Sequence, residues 1–155
     1  MAEEWRRGEF VVSTDPSLLD VGVIHKWLSE SSYWTRGVPL DVVQRGIENS
    51  LNFGLYAEGG TRQAGLARVI TDYATFAYVC DVFVLDEYRG RGLGVWLMEC
   101  VAAHPQLQGL RRWMLGTKDA HGLYEKTGFT ALSAPERWME KVDVDVYRRG
   151  SGGTA

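Results

Sequence analysis

The stretch Asp81-Val82-Phe83-Val84-Leu85-Asp86-Glu87-Tyr88-Arg89-Gly90-Arg91-Gly92-Leu93-Gly94-Val95-Trp96-Leu97-Met98 changes character twice. Its first residues are apolar and β-branched, as at a strand end. From Leu93 onward, Leu93, Leu97, Cys100 and Val101 fall at helical spacing. Between the two lies Arg89-Gly90-Arg91-Gly92-Leu93-Gly94, three alternating glycines with two arginines. A glycine-rich turn that opens a helix leaves the first helical amides pointing outward, where the helix dipole favours an anion. Arg89 and Arg91 add positive charge to the same place. Two readings stand on these residues alone: a phosphate cradle, or a tight strand-to-helix turn rich in glycine.

Two familiar phosphate loops do not fit. No Lys-Ser/Thr follows the glycines, as a P-loop requires, and Gly-x-Gly-x-Gly is a poor match to Gly-x-Gly-x-x-Gly. What does fit is Arg-x-x-Gly-x-Gly, on Arg89, Gly92 and Gly94, after a strand and opening a helix. This resembles the acyl-CoA signature of the GNAT acetyltransferase family. A second stretch, Leu123-Tyr124-Glu125-Lys126-Thr127-Gly128-Phe129, resembles the family motif in which a tyrosine on a short helix faces the coenzyme A sulfur. Together they extend the resemblance over roughly residues 9 to 142.

The resemblance implies an α/β fold with a mixed central sheet of six to seven strands and about four helices. It implies acetyl-CoA as cosubstrate, with its diphosphate on Arg89, Gly90, Arg91, Gly92, Leu93, Gly94 and Val95 and its pantetheine arm on the backbone of Val82, Phe83 and Val84. Tyr124 is then the general acid that protonates the leaving thiolate. A backbone N–H at Phe83 or Val84 supplies the oxyanion donor. Asp81 is the first choice for the base, acting directly or through water, with Asp72, Glu30 and His121 behind it. The asparagine that many members carry seven residues before the tyrosine is replaced here by Thr117, whose hydroxyl is the substitute contact. In the family the first two helices and the aromatic loop between them lie over the acceptor pocket, which puts Trp27, Tyr33 and Trp34 at the acceptor; these rings also suit plain packing of that lid on the sheet.

The expected reaction is acetyl transfer to a primary amine, a small molecule rather than a peptide N-terminus. The rival reading is a non-catalytic acyl-CoA-binding sensor or scaffold. Many members of the family pair, so a homodimer is also an expectation. A net charge of −3 offers no broad basic surface for nucleic acid. The three histidines and two cysteines, Cys80 and Cys100, show no metal-ligand spacing, so no metal is expected and both thiols read as free. No apolar run approaches a membrane span, and the charged N-terminus lacks a signal core, which fits a cytoplasmic protein.

Along the chain, 9–14 reads as a first strand. Asp15-Pro16 then opens a helix to about Ser29, and a second helix starts at Pro39. A three-stranded meander follows over 52–58, 62–71 and 73–84, hinged on Gly59-Gly60. In the third of these strands, Phe76, Tyr78, Val82 and Val84 are expected on one face and Ala77, Val79, Asp81 and Phe83 on the other. A buried strand at 112–116 and one or two closing strands around Trp138–Lys141 complete the sheet. Residues 1–148 are expected to form one domain, with 149–155 as a flexible tail.

Overall fold

The computed structural model describes residues 1–150. Six strands form one sheet in the order β1 to β6: Glu4–Arg7, Phe10–Ser13, Leu51–Ala57, Arg62–Thr71, Phe76–Val84 and Arg112–Leu115. All neighbours are antiparallel except β5 and β6, which are parallel. The helices are α1 (Val21–Glu30), α2 (Leu40–Glu48), α3 (Leu93–Ala103), α4 (His121–Glu125) and α5 (Val146–Gly150). The fold is the mixed α/β sheet that the motifs imply.

Each face of the sheet has its own core. Helix α3 covers one face with Phe53, Leu55, Ala67, Val69, Val79, Leu97 and Val101. Helices α1 and α2 cover the other with Ile24, Leu28, Val43, Ile47, Leu66 and Phe83. Six of the eleven residues of α3 are buried, Glu99 being an exposed exception. At about 1.5–3 kcal/mol for each large apolar side chain buried, that packing holds the helix rigidly on the sheet. Its N-terminus is therefore a fixed point.

The N-terminal region departs from expectation at two places. Strand β1 was not anticipated: Glu4, Arg6 and Arg7 give it no apolar pattern, and it survives as an exposed edge strand paired only with β2. The first helix is split. Asp15 caps only a single 3-10 turn at Pro16–Leu18, and Asp20 caps α1 by accepting from the amide of Val23.

The face assignment of β5 is corrected by a bulge. Gly65 pairs with Val84 and Leu66 with Phe83, yet Arg68 pairs with Cys80. Asp81 and Val82 therefore stand opposite Ala67 alone. Asp81 takes φ +50, a left-handed conformation that aspartate tolerates better than most residues. The extra residue flips the alternation. Val82 and Val84 join Ala77 and Val79 on the α3 side, while Asp81 and Phe83 turn towards α1 and α2.

Gly65 sits opposite this bulge. A Cβ there would meet the carbonyl oxygen of Phe83 at 2.4 Å. Gly65→Ala should therefore destabilise the fold by about 1–3 kcal/mol through forced separation of β4 and β5. The midpoint of urea unfolding measures the loss; an unchanged midpoint would remove the steric account.

The closing strands are absent: among the described residues no strand follows β6. The stretch from 129 to 145 carries one 3-10 turn, Pro135–Arg137, and is largely exposed. Helix α5 begins before the tail expected from residue 149, and 151–155 lie outside the described residues. No described helix is long and apolar enough to cross a membrane.

Candidate active site

The glycine turn is built as an anion seat. Gly92 is the N-cap of α3 in the left-handed conformation, φ +74 and ψ 13. No side chain caps the helix, and its first backbone bond runs from the amide of Trp96 to the carbonyl of Gly92. The amides of Leu93, Gly94 and Val95 are thus left without an intrahelical partner. A Cβ on Gly90 or Gly92 would meet nothing within 4 Å, so the turn is open to solvent. The Arg91 guanidinium lies 5.9 Å from the ring centre of Phe10 and 6.0 Å from that of Tyr88, in no ion pair among the described residues. Arg89 points elsewhere: its Nε donates to the carbonyl of Val84 at 2.9 Å, and it pairs with Asp86. It braces the strand end against the turn.

Beside this seat the sheet opens. The β5–β6 ladder ends at Val79 opposite Leu115. Beyond it, Val82, Phe83 and Val84 keep β4 as a neighbour and have no strand on their other side. That free edge leads from the glycine turn towards the middle of the sheet. A diphosphate joined to an extended amide chain fits these features: uncapped amides for the first, an unpaired strand edge for the second.

Tyr124 lies on α4, which is seated close to the start of α3. A Cβ on Gly94 would meet Leu123 Cδ1 at 2.9 Å, so glycine at 94 lets the two helices approach. The Tyr124 ring packs edge-on to Phe129 and against the α3-side core. Burial, aided by the nearby Tyr33 phenol, pushes Tyr124 up to about 12. It therefore stays a proton donor over the whole neutral range. Thr117 accepts from the amide of Ala120 at 3.0 Å, fixing the turn before α4 and leaving its own hydroxyl proton free to donate.

The acceptor-side aromatics form a ladder. Phe83 stacks on Trp27 at 4.3 Å, Trp27 meets Trp34 at 5.6 Å, and Trp34 meets Tyr33 edge-on at 5.0 Å. The Tyr33 hydroxyl accepts from the amide of Lys118, tying the α1–α2 loop to the loop before α4. Trp34 Nε1 donates to Asp81 Oδ1 at 2.8 Å, and Arg68 Nε donates to Asp81 Oδ2 at 2.7 Å. The Asp81 side chain is only 8% exposed. Both of its oxygens thus hold a donor, and each retains a further lone pair.

Three residues here escaped the sequence reading. Arg68 is one, and its signal was available. A lone cation in the apolar strand Ala64-Gly65-Leu66-Ala67-Arg68-Val69 needs a counter-charge, and β5 holds one acid, Asp81. Ser50 is another: its hydroxyl accepts from Arg68 at 2.9 Å. Tyr147 of α5 is the third. With Arg68 and Asp81 it lines a cavity of about 50 Å³ beneath α1 and α2.

Of the weaker base candidates, Asp72 is excluded. Its carboxylate accepts from the Thr75 hydroxyl and from the amides of Ala74, Thr75 and Phe76, which builds the β4–β5 turn. Those bonds, led by Thr75, hold it well below the usual carboxylate range. Cys80 and Cys100 are free thiols, each pushed up to about 12 by burial, and so poor nucleophiles at neutral pH. Among the described residues no group of three His, Cys, Asp or Glu side chains is placed to hold a metal.

An uncapped helix end beside a split parallel strand pair, with a half-buried phenol close by, defines an acyl-transferase type of α/β domain. The chain belongs to the acetyltransferase (GNAT) family, whose model matches residues 22–129. A Gibberella zeae protein provisionally named acetyltransferase FG08082 is 38% identical over 144 residues, covering 80% of each chain. A GNAT-family protein of known structure from Xanthomonas campestris pv. campestris is 54% identical, with a TM-score of 0.85 over 89% of this chain and 96% of that one. A Clostridium acetobutylicum protein named a predicted acetyltransferase, solved with acetyl-CoA, shares the fold at 13% identity and TM-score 0.55, covering 92% of this chain and 95% of that one.

Proposed function

We propose that this GNAT acetyltransferase moves the acetyl group of acetyl-CoA to a primary amine, a small molecule in preference to a peptide N-terminus, with Tyr124 as general acid. The observation that carries this reading is the succession of an uncapped α3 N-terminus, the unpaired β5 edge and a protonated phenol on α4. The amides from Gly90 to Val95 hold the diphosphate, and Arg91 adds its charge. The backbone of Val82, Phe83 and Val84 takes the pantetheine arm as an added strand, and the Thr117 hydroxyl donates to it. A backbone N–H at Phe83 or Val84 faces the oxygen that gains charge.

Tyr124 delivers its proton to the departing sulfur. A phenol held at about 12 donates only to a base placed directly against it, such as a nascent thiolate. On the acceptor side, Trp27, Tyr33 and Trp34 line the approach, and the spare lone pairs of Asp81 orient the amine and receive its proton through water. Arg68 keeps that carboxylate in place.

The test is free thiol release from acetyl-CoA, followed with a thiol-reactive dye across a panel of small amines and short peptides. Amine-dependent release supports transfer. Tight coenzyme A binding with no release for any acceptor supports instead a binding module that senses the cofactor.

A further inference from the structure

Helices α1 and α2 cover only part of their face of the sheet. Leu66 of β4 and Phe83 of β5 are buried beneath them. Ala67, Val69, Ala77 and Val79 turn to α3, so alternation sends Arg68, Ile70, Tyr78 and Cys80 to the face of Leu66 and Phe83. There the helices stop short: Ile70 is 45% exposed and Tyr78 40%. The two stand opposite each other in the β4–β5 ladder, and Tyr78 faces Met114 across the β5–β6 ladder. Neighbouring strands lie about 5 Å apart, so Ile70, Tyr78 and Met114 form a shelf about 10 Å wide. Strand propensity accounts for isoleucine and tyrosine in a ladder. It does not account for contiguous apolar side chains left to water beside the candidate site.

The shelf adjoins the acceptor side of that site. Cys80 pairs with Arg68, and the next residue, Asp81, accepts from Trp34 Nε1 and Arg68 Nε. From Asp81 back to Tyr78 is about 10 Å of strand. Burial, then the nearby Cys80, Asp81 and Tyr33, push the Tyr78 phenol up against the opposing pull of Arg68, so the shelf is uncharged at neutral pH.

What the shelf lacks narrows the acceptor. Among Arg68, Ile70, Tyr78, Cys80, Asp81 and Met114 there is one acid, so a polyamine finds no second carboxylate. The cations at its border, Arg112 and Lys118, lie over the rings of Trp138 and Tyr33 at 4.7 and 5.5 Å. An amino sugar or a phosphorylated amine would meet apolar carbon where its oxygens need partners. An aromatic ring would instead leave water and pack on the Tyr78 ring.

We propose that the acceptor is an arylalkylamine, with one primary amino group at Asp81 and, two or three carbons away, an aromatic ring resting on Ile70, Tyr78 and Met114. This rests on the acetyl-transfer reading above and names its substrate class. The C–S bond of the thioester breaks as the N–C bond forms; sulfur takes the Tyr124 proton, and the amine loses one through water to Asp81. Ile70 and Tyr78 exchange no proton and act on specificity alone.

The test compares phenethylamine with ethylamine, putrescine and glucosamine by thiol release from acetyl-CoA. Calorimetry measures phenethylamine binding to the coenzyme A complex alongside. The parent is expected to favour phenethylamine over ethylamine by about 100-fold or more in kcat/KM. Tyr78→Thr and Ile70→Thr keep a strand-forming side chain at an exposed position, and each should cut that ratio about tenfold. Circular dichroism checks that they fold, and one folded variant suffices. Preference for putrescine or glucosamine, or a ratio unmoved in the folded variants, overturns the shelf and leaves acetyl transfer standing. Phenethylamine that binds through Tyr78 with no thiol release from any amine does the reverse. If phenethylamine neither binds nor reacts, or if Tyr78→Thr alters only the mass in light scattering because a second copy covers this face, the proposal falls.

Discussion

Gly92→Glu is expected to abolish coenzyme A binding, with a loss in affinity on the order of 100-fold or more, equivalent to about 2.7 kcal/mol. Two effects add. Residue 92 holds φ +74, and a side chain in that conformation costs about 1–3 kcal/mol. The carboxylate also lands where the amides of Leu93, Gly94 and Val95 gather, against a diphosphate of the same sign. Nothing lies within 4 Å of the new Cβ, so no clash adds to the backbone strain, and thermal unfolding should fall only by the amount that this strain sets. Gly92→Ala separates the two effects, because it keeps the strain and omits the charge; its loss should be the smaller. Titration calorimetry with coenzyme A reads both. A glutamate variant that binds as tightly as the parent removes the turn from cofactor recognition.

Tyr124→Phe should lower kcat by about 10²–10⁴ while coenzyme A affinity stays within about twofold. The ring and its contacts with Phe129 and the core remain, so the change isolates the hydroxyl. Burial places Tyr124 at about 12, which sets the pH behaviour. The parent keeps this acid protonated through any ordinary assay range, so an alkaline fall in rate below about pH 11 comes from another group. Stability follows the same shift. The folded pKa lies above the unfolded value of about 10. The contribution of this group is therefore intact below pH 10 and is lost as pH rises through about 12. The urea midpoint of the parent should fall more steeply over that window than that of the variant. Equal turnover in parent and variant would end the acid assignment.

What was legible in the sequence is what depends on local chemistry. Alternating glycines between a β-branched run and a helical run can form only a turn, and the uncapped start of α3 follows from the lack of Ser, Thr, Asp or Asn at its N-cap. The Leu123-to-Phe129 motif marked α4 by its resemblance to the family, and the structure adds the contact that seats it, Leu123 against Gly94. The illegible parts depend on distant partners. The bulge at Asp81 is decided by Gly65 and Arg68 on β4, so alternation along β5 alone cannot reveal it. Strand β1 pairs through its backbone while its side chains are mostly charged, which hides the pattern. The stretch around Trp138 has the composition of a strand, and no edge within its own chain accepts it. Tyr147 reaches the cavity beside Asp81 from a short helix some 65 residues further along the chain, a contact that no local signal encodes.

The central claim is spatial: main-chain amides from residue 90 to 95 grip a diphosphate, and the attached thiol ends beside the Tyr124 phenol. A crystal structure of the protein soaked with coenzyme A tests it most directly. The account predicts phosphate oxygens within hydrogen-bond reach of those amides, pantetheine paired with the free edge of β5 at Val82 to Val84, and sulfur beside the residue 124 hydroxyl. Coenzyme A bound with its diphosphate away from the turn, or with its sulfur far from Tyr124, would contradict it.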